Sequence, residues 1–82
     1  MQEIILSGHT RDMLKERNIP EEWVMRTINE HDWEYTGEDK NIHYFKSIPE
    51  YGGRILHVII NPYGSPQKVV TVFFDRRARR KE

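Results

Sequence analysis

At 82 residues the chain is short enough that folding hides only about 60% of the surface its unfolded form exposes, which leaves room for one sheet layer and one helix layer and argues against a deep, multi-lobed enzyme pocket. The absence of cysteine excludes a disulfide framework and any thiolate zinc site, and fits a reducing cytoplasm. Thirteen basic and thirteen acidic side chains cancel, but five of the basic ones stand in the last eight residues, so a neutral chain carries a basic end.

Residues 1–7 have no basic start and too short an apolar run for a signal peptide or a membrane span. A soluble, cytoplasmic protein with one domain over residues 1–82 and no membrane partner is therefore expected. Residues 3–6 read as a short first strand, and Ser7 then stands where a helix N-cap belongs, ahead of a helix over 9–17 with Met13 and Leu14 as its only strong apolar residues. Asn18 suits the left-handed position past that helix, and Pro20 opens a second one over 20–30. Glu21 and Glu22 fall in its first turn, where the helix dipole favours negative charge. Its apolar stripe is Trp23, Val24, Thr27 and Ile28, with Met25 at the flank.

Residues 33–36 alternate like a strand, 37–40 form a turn, and 41–48 read as a further strand in which either alternate set could face the helices. Residues 54–60 and 68–74 are β-branched and aromatic runs around the loop Asn61-Pro62-Tyr63-Gly64-Ser65-Pro66, and predict an antiparallel hairpin. The pleat places Leu56, Val58, Ile60, Val70, Val72 and Phe74 on one face, expected beneath the helices, and Ile55, His57, Ile59, Val69, Thr71 and Phe73 on the other. The fold class is α+β, with two N-terminal helices on one face of a three- to four-stranded antiparallel sheet.

Read together, the segments HTRDMLKERNI (9–19), GRILHVIINP (53–62) and VVTVFFDRR (69–77) resemble the small prokaryotic family called domain of unknown function 4258, in its short stand-alone form. The resemblance runs from about Ile5 to Arg80, with Asn18 where such sequences usually carry Gly. No catalytic residue carries over from it. More distantly, two helices ahead of an antiparallel sheet, followed by Arg76-Arg77-Ala78-Arg79-Arg80-Lys81-Glu82, are similar to compact ribonuclease toxins of the RelE, ParE and BrnT type. That likeness implies a toxin-like RNA-binding protein or a metal-independent endoribonuclease of a toxin–antitoxin pair, with RNA and an antitoxin as partners.

Histidine titrates nearest neutral pH, so His9, His31, His43 and His57 are the available candidates for proton transfer, with His57, His43 or His9 able to serve as base or acid, and no histidine pair has a metal-ligand spacing such as H-x-x-x-H. No cofactor or metal is expected. Arg54, Arg76 and Arg77, near strand ends, are candidates for the cation that stabilises phosphorane-like charge. Arg76, Arg77, Arg79, Arg80 and Tyr63 are candidates for holding nucleic acid, with Tyr44 and Tyr51 available to stack on bases. The plainer reading of His57 is a core histidine bonded to a neighbour such as Thr71. The alternative function is a non-catalytic interaction module: a sheet face exposing Ile55, Ile59 and Phe73 would be too apolar for a monomer and would need a homodimer mate or another protein over it.

Overall fold

The computed structural model describes residues 4–64 and 66–77. The elements follow as β1 (Ile4–Ile5), α1 (Gly8–Glu16), α2 (Glu21–Glu30), β2 (Trp33–Thr36), β3 (Ile42–Ile48), a 3₁₀ turn at Pro49–Tyr51, β4 (Arg54–Asn61) and β5 (Gln67–Phe74). Ser7 caps α1 as expected, its hydroxyl accepting from the Thr10 N–H at 3.2 Å. Asn18 takes the left-handed conformation at φ 56°, and the Ile19 N–H turns back to the Leu14 carbonyl at 2.9 Å to close the helix end. Pro20, at ψ 140°, is the extended cap before α2 rather than a member of its first turn. Gly52 and Gly53, at φ 69° and 74°, carry the chain from the 3₁₀ turn into β4, a backbone that a β-carbon would strain. Arg26 of α2 reaches the same turn and holds the Glu50 carboxyl down at about 2 through a charged hydrogen bond.

The strands form one sheet in the order β1-β5-β4-β3-β2. It has five strands and is mixed, which corrects the expected three- to four-stranded antiparallel sheet: β1 runs parallel to β5 over Ile4–Gln67 and Ile5–Lys68, and the other pairings are antiparallel. A two-residue strand carries too little pattern to declare its direction. The rest of the β5 edge is closed by α1, where the Thr10 hydroxyl donates to the Val69 carbonyl at 3.2 Å and the Arg17 guanidinium to the Val72 carbonyl at 2.6 Å. Carbonyls that would otherwise template another strand are thereby satisfied.

A bulge corrects the face assignment. Ile59 pairs with Thr71 but Ile60 with Val69, so Val70 is an extra residue on β5. Val69 turns into the core at 3% exposed, and Val70 points outward at 44%. The helix-covered core otherwise contains the expected Leu14, Val24, Ile28, Leu56, Val58 and Val72, with Ile48 and Ile60 fully buried among them. Such a side chain contributes about 1.5–3 kcal/mol when it leaves water. Among the described residues no helix is long and apolar enough to cross a membrane.

Among the described residues no helix lies across the other sheet face, although Met13 of α1 reaches Thr71 at its β5 edge. Register aligns Trp33, Phe45, His57 and Phe73 in one row and Tyr35, His43, Ile59 and Thr71 in the next. Ile55 and Phe45 are buried and Ile59 and Phe73 half-buried, so the face exposes less apolar surface than expected. Trp33 stacks on Phe45 with centroids 4.9 Å apart.

Candidate functional site

His57 lies in the middle of β4, its ring between Phe45 at 4.2 Å and Phe73 at 4.7 Å. Its Nδ1 faces Asp75 Oδ2 at 3.0 Å and its Nε2 faces His43 Nδ1 at 2.8 Å. His43, one strand over, is roofed by the nearly parallel ring of Tyr35 at 4.6 Å, and its Nε2 approaches Asp39 Oδ1 at 3.4 Å. The four side chains form one line, Asp75–His57–His43–Asp39. The inner pair is buried, at 7% and 10% side-chain exposure, whereas Asp39 is 49% exposed.

These partners dictate the protons. Ionised Asp75 only accepts, so the His57 Nδ1 carries hydrogen; the Nε2 of neutral His57 must then accept, and the His43 Nδ1 donates to it. His43 Nε2 can donate to Asp39 only when that ring carries both protons. Burial is the largest influence on His57 and lowers its pKa, and the charge of His43 lowers it further; the Asp75 bond and charge oppose them. A positive charge on the His57 ring is thus disfavoured. Asp39 is pulled below the ordinary carboxyl value, chiefly by the Asn41 backbone N–H and also by His43. Two nitrogens on one tetrahedral zinc stand about 3.3 Å apart, given Zn–N distances near 2.0–2.1 Å, so the 2.8 Å contact between the rings is a hydrogen bond and not a shared ion site.

Asp75 is fixed at the end of β5, its N–H on the Ile55 carbonyl at 2.9 Å and its Oδ1 accepting from the Arg77 N–H at 2.8 Å. At the other end, Gly37 abuts the pair: a β-carbon there would fall 2.7 Å from both Asp39 Oδ1 and His43 Nε2. Only glycine leaves that space.

Of the residues singled out in the sequence, His43 and His57 come together; His57 takes His43 and Asp75 as partners rather than Thr71, whose hydroxyl points to the Met13 sulfur at 3.5 Å. His9 is exposed at the start of α1, apart from the pair. Arg54 shares the helix-covered face with Leu56 and leans over Tyr51, 5.1 Å from its centroid. Arg76 and Arg77 are exposed just past Asp75. They stand at the far end of the line, since Asp75 is held at Ile55 whereas His43 lies opposite Ile59, four residues or about 13 Å along β4. Tyr63 is exposed in the β4–β5 loop, and Tyr44 packs on the core beside His31 at 4.6 Å rather than on the open face. Arg79 and Arg80 lie outside the described residues.

Sequence reasoning missed Asp75, Asp39, Tyr35 and Gly37. The antiparallel hairpin carried a signal for Asp75, because a strand that puts Phe73 opposite His57 puts position 75 on the same face. A depression of about 460 Å³ at the α1–α2 corner, lined by Arg11, Leu14, Asn18 and Glu21 among others, is remote from these groups, and Arg11 there is paired with Glu21 at 3.3 Å.

An α+β domain whose bare sheet face holds a carboxylate-anchored imidazole pair is the class that fold and site define. The family described as domain of unknown function 4258 matches residues 6–74, and the chain belongs to it. No curated protein and no solved structure matches the chain.

Proposed function

We propose that the chain binds single-stranded RNA and cleaves it by metal-independent acid–base chemistry at His43, backed by His57 and Asp75. The observation that supports this reading is the hydrogen-bonded line Asp75–His57–His43, lying on the helix-free face and ending at a half-exposed turn. His43 Nε2 takes the proton of a 2′-hydroxyl and that ring becomes the imidazolium, its Nδ1–H staying on His57 Nε2, while Asp75 holds His57 in the tautomer that accepts. The 2′-oxygen bonds to the adjacent phosphorus, the bond from phosphorus to the 5′-oxygen breaks, and the returning proton neutralises that oxygen. The products are a 2′,3′-cyclic phosphate and a 5′-hydroxyl, with no change of oxidation state.

Tyr35 and Trp33, on the outermost strand of the same face, offer surfaces for unpaired bases. Arg76 and Arg77 serve neighbouring phosphates rather than the scissile one, because they sit at the Asp75 end; Arg79 and Arg80, which follow in the sequence, are assigned to the same task. The setting is a cytoplasmic toxin restrained by an antitoxin. The reading of the sheet face as a mere docking surface loses ground because Phe45 and Ile55 are already covered within the chain.

The test is incubation of a defined single-stranded oligoribonucleotide with the chain in excess chelator. Fragments ending in 2′,3′-cyclic phosphate, lost on His43→Gln, are expected; intact RNA, or cleavage that survives the substitution, contradicts the proposal.

A further inference from the structure

Cleavage at His43 would build negative charge on the phosphate beside it, and a fixed cation there would stabilise that charge. Arg76 and Arg77 stand at the Asp75 end and Arg54 lies on the helix-covered face, so none of them supplies it. The bulge on β5 brings another. Phe74 and Val72 pack toward the helices, and strict alternation would carry Val70 and then Lys68 to the same side. Because Val70 is the extra residue, the alternation shifts by one: Val69 enters the core, and Lys68, paired with Asn61, comes out on the open face. The parallel neighbour agrees, since Gln67 pairs with Ile4, which packs on the core, and the next residue of the strand points the other way.

Lys68 is exposed, and among the described residues no carboxylate pairs with it. Asn61, opposite it, has its Oδ1 tied to the Tyr63 N–H at 2.9 Å, which leaves the amide N–H groups as the end free to meet an outside acceptor. The antiparallel strands put the 61–67 loop and the 37–41 turn at the same end of the sheet, and His43 Nε2 is turned toward that end, where it approaches Asp39. Lys68 lies two strands across and two residues along from His43. At spacings of about 4.8 and 3.3 Å their backbones are about 12 Å apart, a gap that an imidazole on one side and a flexible four-carbon stem on the other can close around a phosphate.

We infer that Lys68, with the Asn61 amide beside it, forms the anion site that receives the RNA phosphate next to His43. The inference rests on the reading of His43 as the group that works on RNA, and it names the cation which that chemistry needs. The bulge is what aims it: a β5 without the extra residue would turn the same lysine toward the helices.

The experiment titrates a short oligoribonucleotide with every 2′-hydroxyl methylated, which cannot be cut, into the full chain and its Lys68→Gln, Lys68→Arg and Lys15→Gln variants at several salt concentrations, following the ring resonances of His43. Lys68→Gln should weaken binding about tenfold at low salt, the worth of one charge-assisted hydrogen bond. It should also reduce the slope of log affinity against log salt by about 0.7, the share of one phosphate contact on a single strand. Lys68→Arg keeps the charge and should keep the slope. Lys15→Gln removes an equal charge from the exposed side of α1 and should leave the affinity within about twofold. The His43 ring resonances should move on binding to the native chain. An unchanged slope in Lys68→Gln, an equal loss in Lys15→Gln, a loss in Lys68→Arg as large as in Lys68→Gln, or unmoved His43 resonances would overturn the inference. Cleavage of the unmethylated strand is read separately. RNA left intact by a chain that passes the titration removes the nuclease reading and keeps the anion site, whereas cleavage by a chain whose Lys68→Gln variant binds and cuts as well as the native one does the reverse.

Discussion

His57 is buried between two phenylalanines, and its lowered pKa makes its folded form release a proton that the unfolded chain would hold. Its share of stability is therefore fully present above the unfolded imidazole value of about 6.5 and is lost as pH falls from there toward the lower folded value. The groups facing it are His43 and Asp75. The midpoint of denaturant unfolding should drop between about pH 7 and pH 5, and the drop should be shallower in His57→Gln, which removes the titrating ring. Equal slopes for the two chains would show that the imidazole is not buried neutral. At this scale the sequence named both histidines as proton-transfer candidates but could not join them. Their contact depends on β3 pairing with β4 so that His43 falls opposite Ile59, and register between strands separated by a variable turn is not written in either strand alone. Asp39 and Gly37 were hidden for a related reason: a turn residue shows its chemistry only when the flanking strands place it.

At the scale of elements, the bulge on β5 separates neighbours that composition treats as equals. Val72→Ala should cost about 1–2 kcal/mol, from lost burial plus a small cavity. Val70→Ala should stay within about 0.5 kcal/mol, since that side chain is already outward. Matched urea titrations of the two variants check this, and equal losses would place Val70 back in the core. Alternation predicted the two long strands and most of their inward residues, but a period of two has no means of announcing an inserted residue. The helices were more legible, because Ser7, Asn18 and the Trp23, Val24, Thr27, Ile28 stripe each have a local cause. What α1 does at the sheet edge was not local. Thr10→Val keeps the shape but leaves the Val69 carbonyl without its hydroxyl donor, and should cost about 1 kcal/mol in the same titrations; an unchanged midpoint would mean the edge is satisfied in another way.

For the whole molecule, the basic residues past β5 and the imidazole pair occupy different places. Arg76 and Arg77 lie past Asp75 and Arg54 lies on the helix-covered face, so under the proposed function the basic end should govern how RNA is held rather than how fast it is cut. For single strands each phosphate contact contributes about −0.7 to the slope of log affinity against log salt. Replacing Arg76 and Arg77 by Ala should flatten that slope by about 1.4 if both make contacts, and identical slopes would detach the basic end from RNA. The central claim, that the imidazole pair is a working proton device, is tested most directly by the rate at which a single-stranded oligoribonucleotide is cut in chelator across a range of pH. The account predicts a bell-shaped profile for the native chain and a loss of about 10²–10⁴-fold in His43→Gln at the optimum. It also predicts a smaller loss with a displaced acid limb in Asp75→Asn, with all three proteins equally folded. A flat profile, or equal rates for the native chain and His43→Gln, would contradict it.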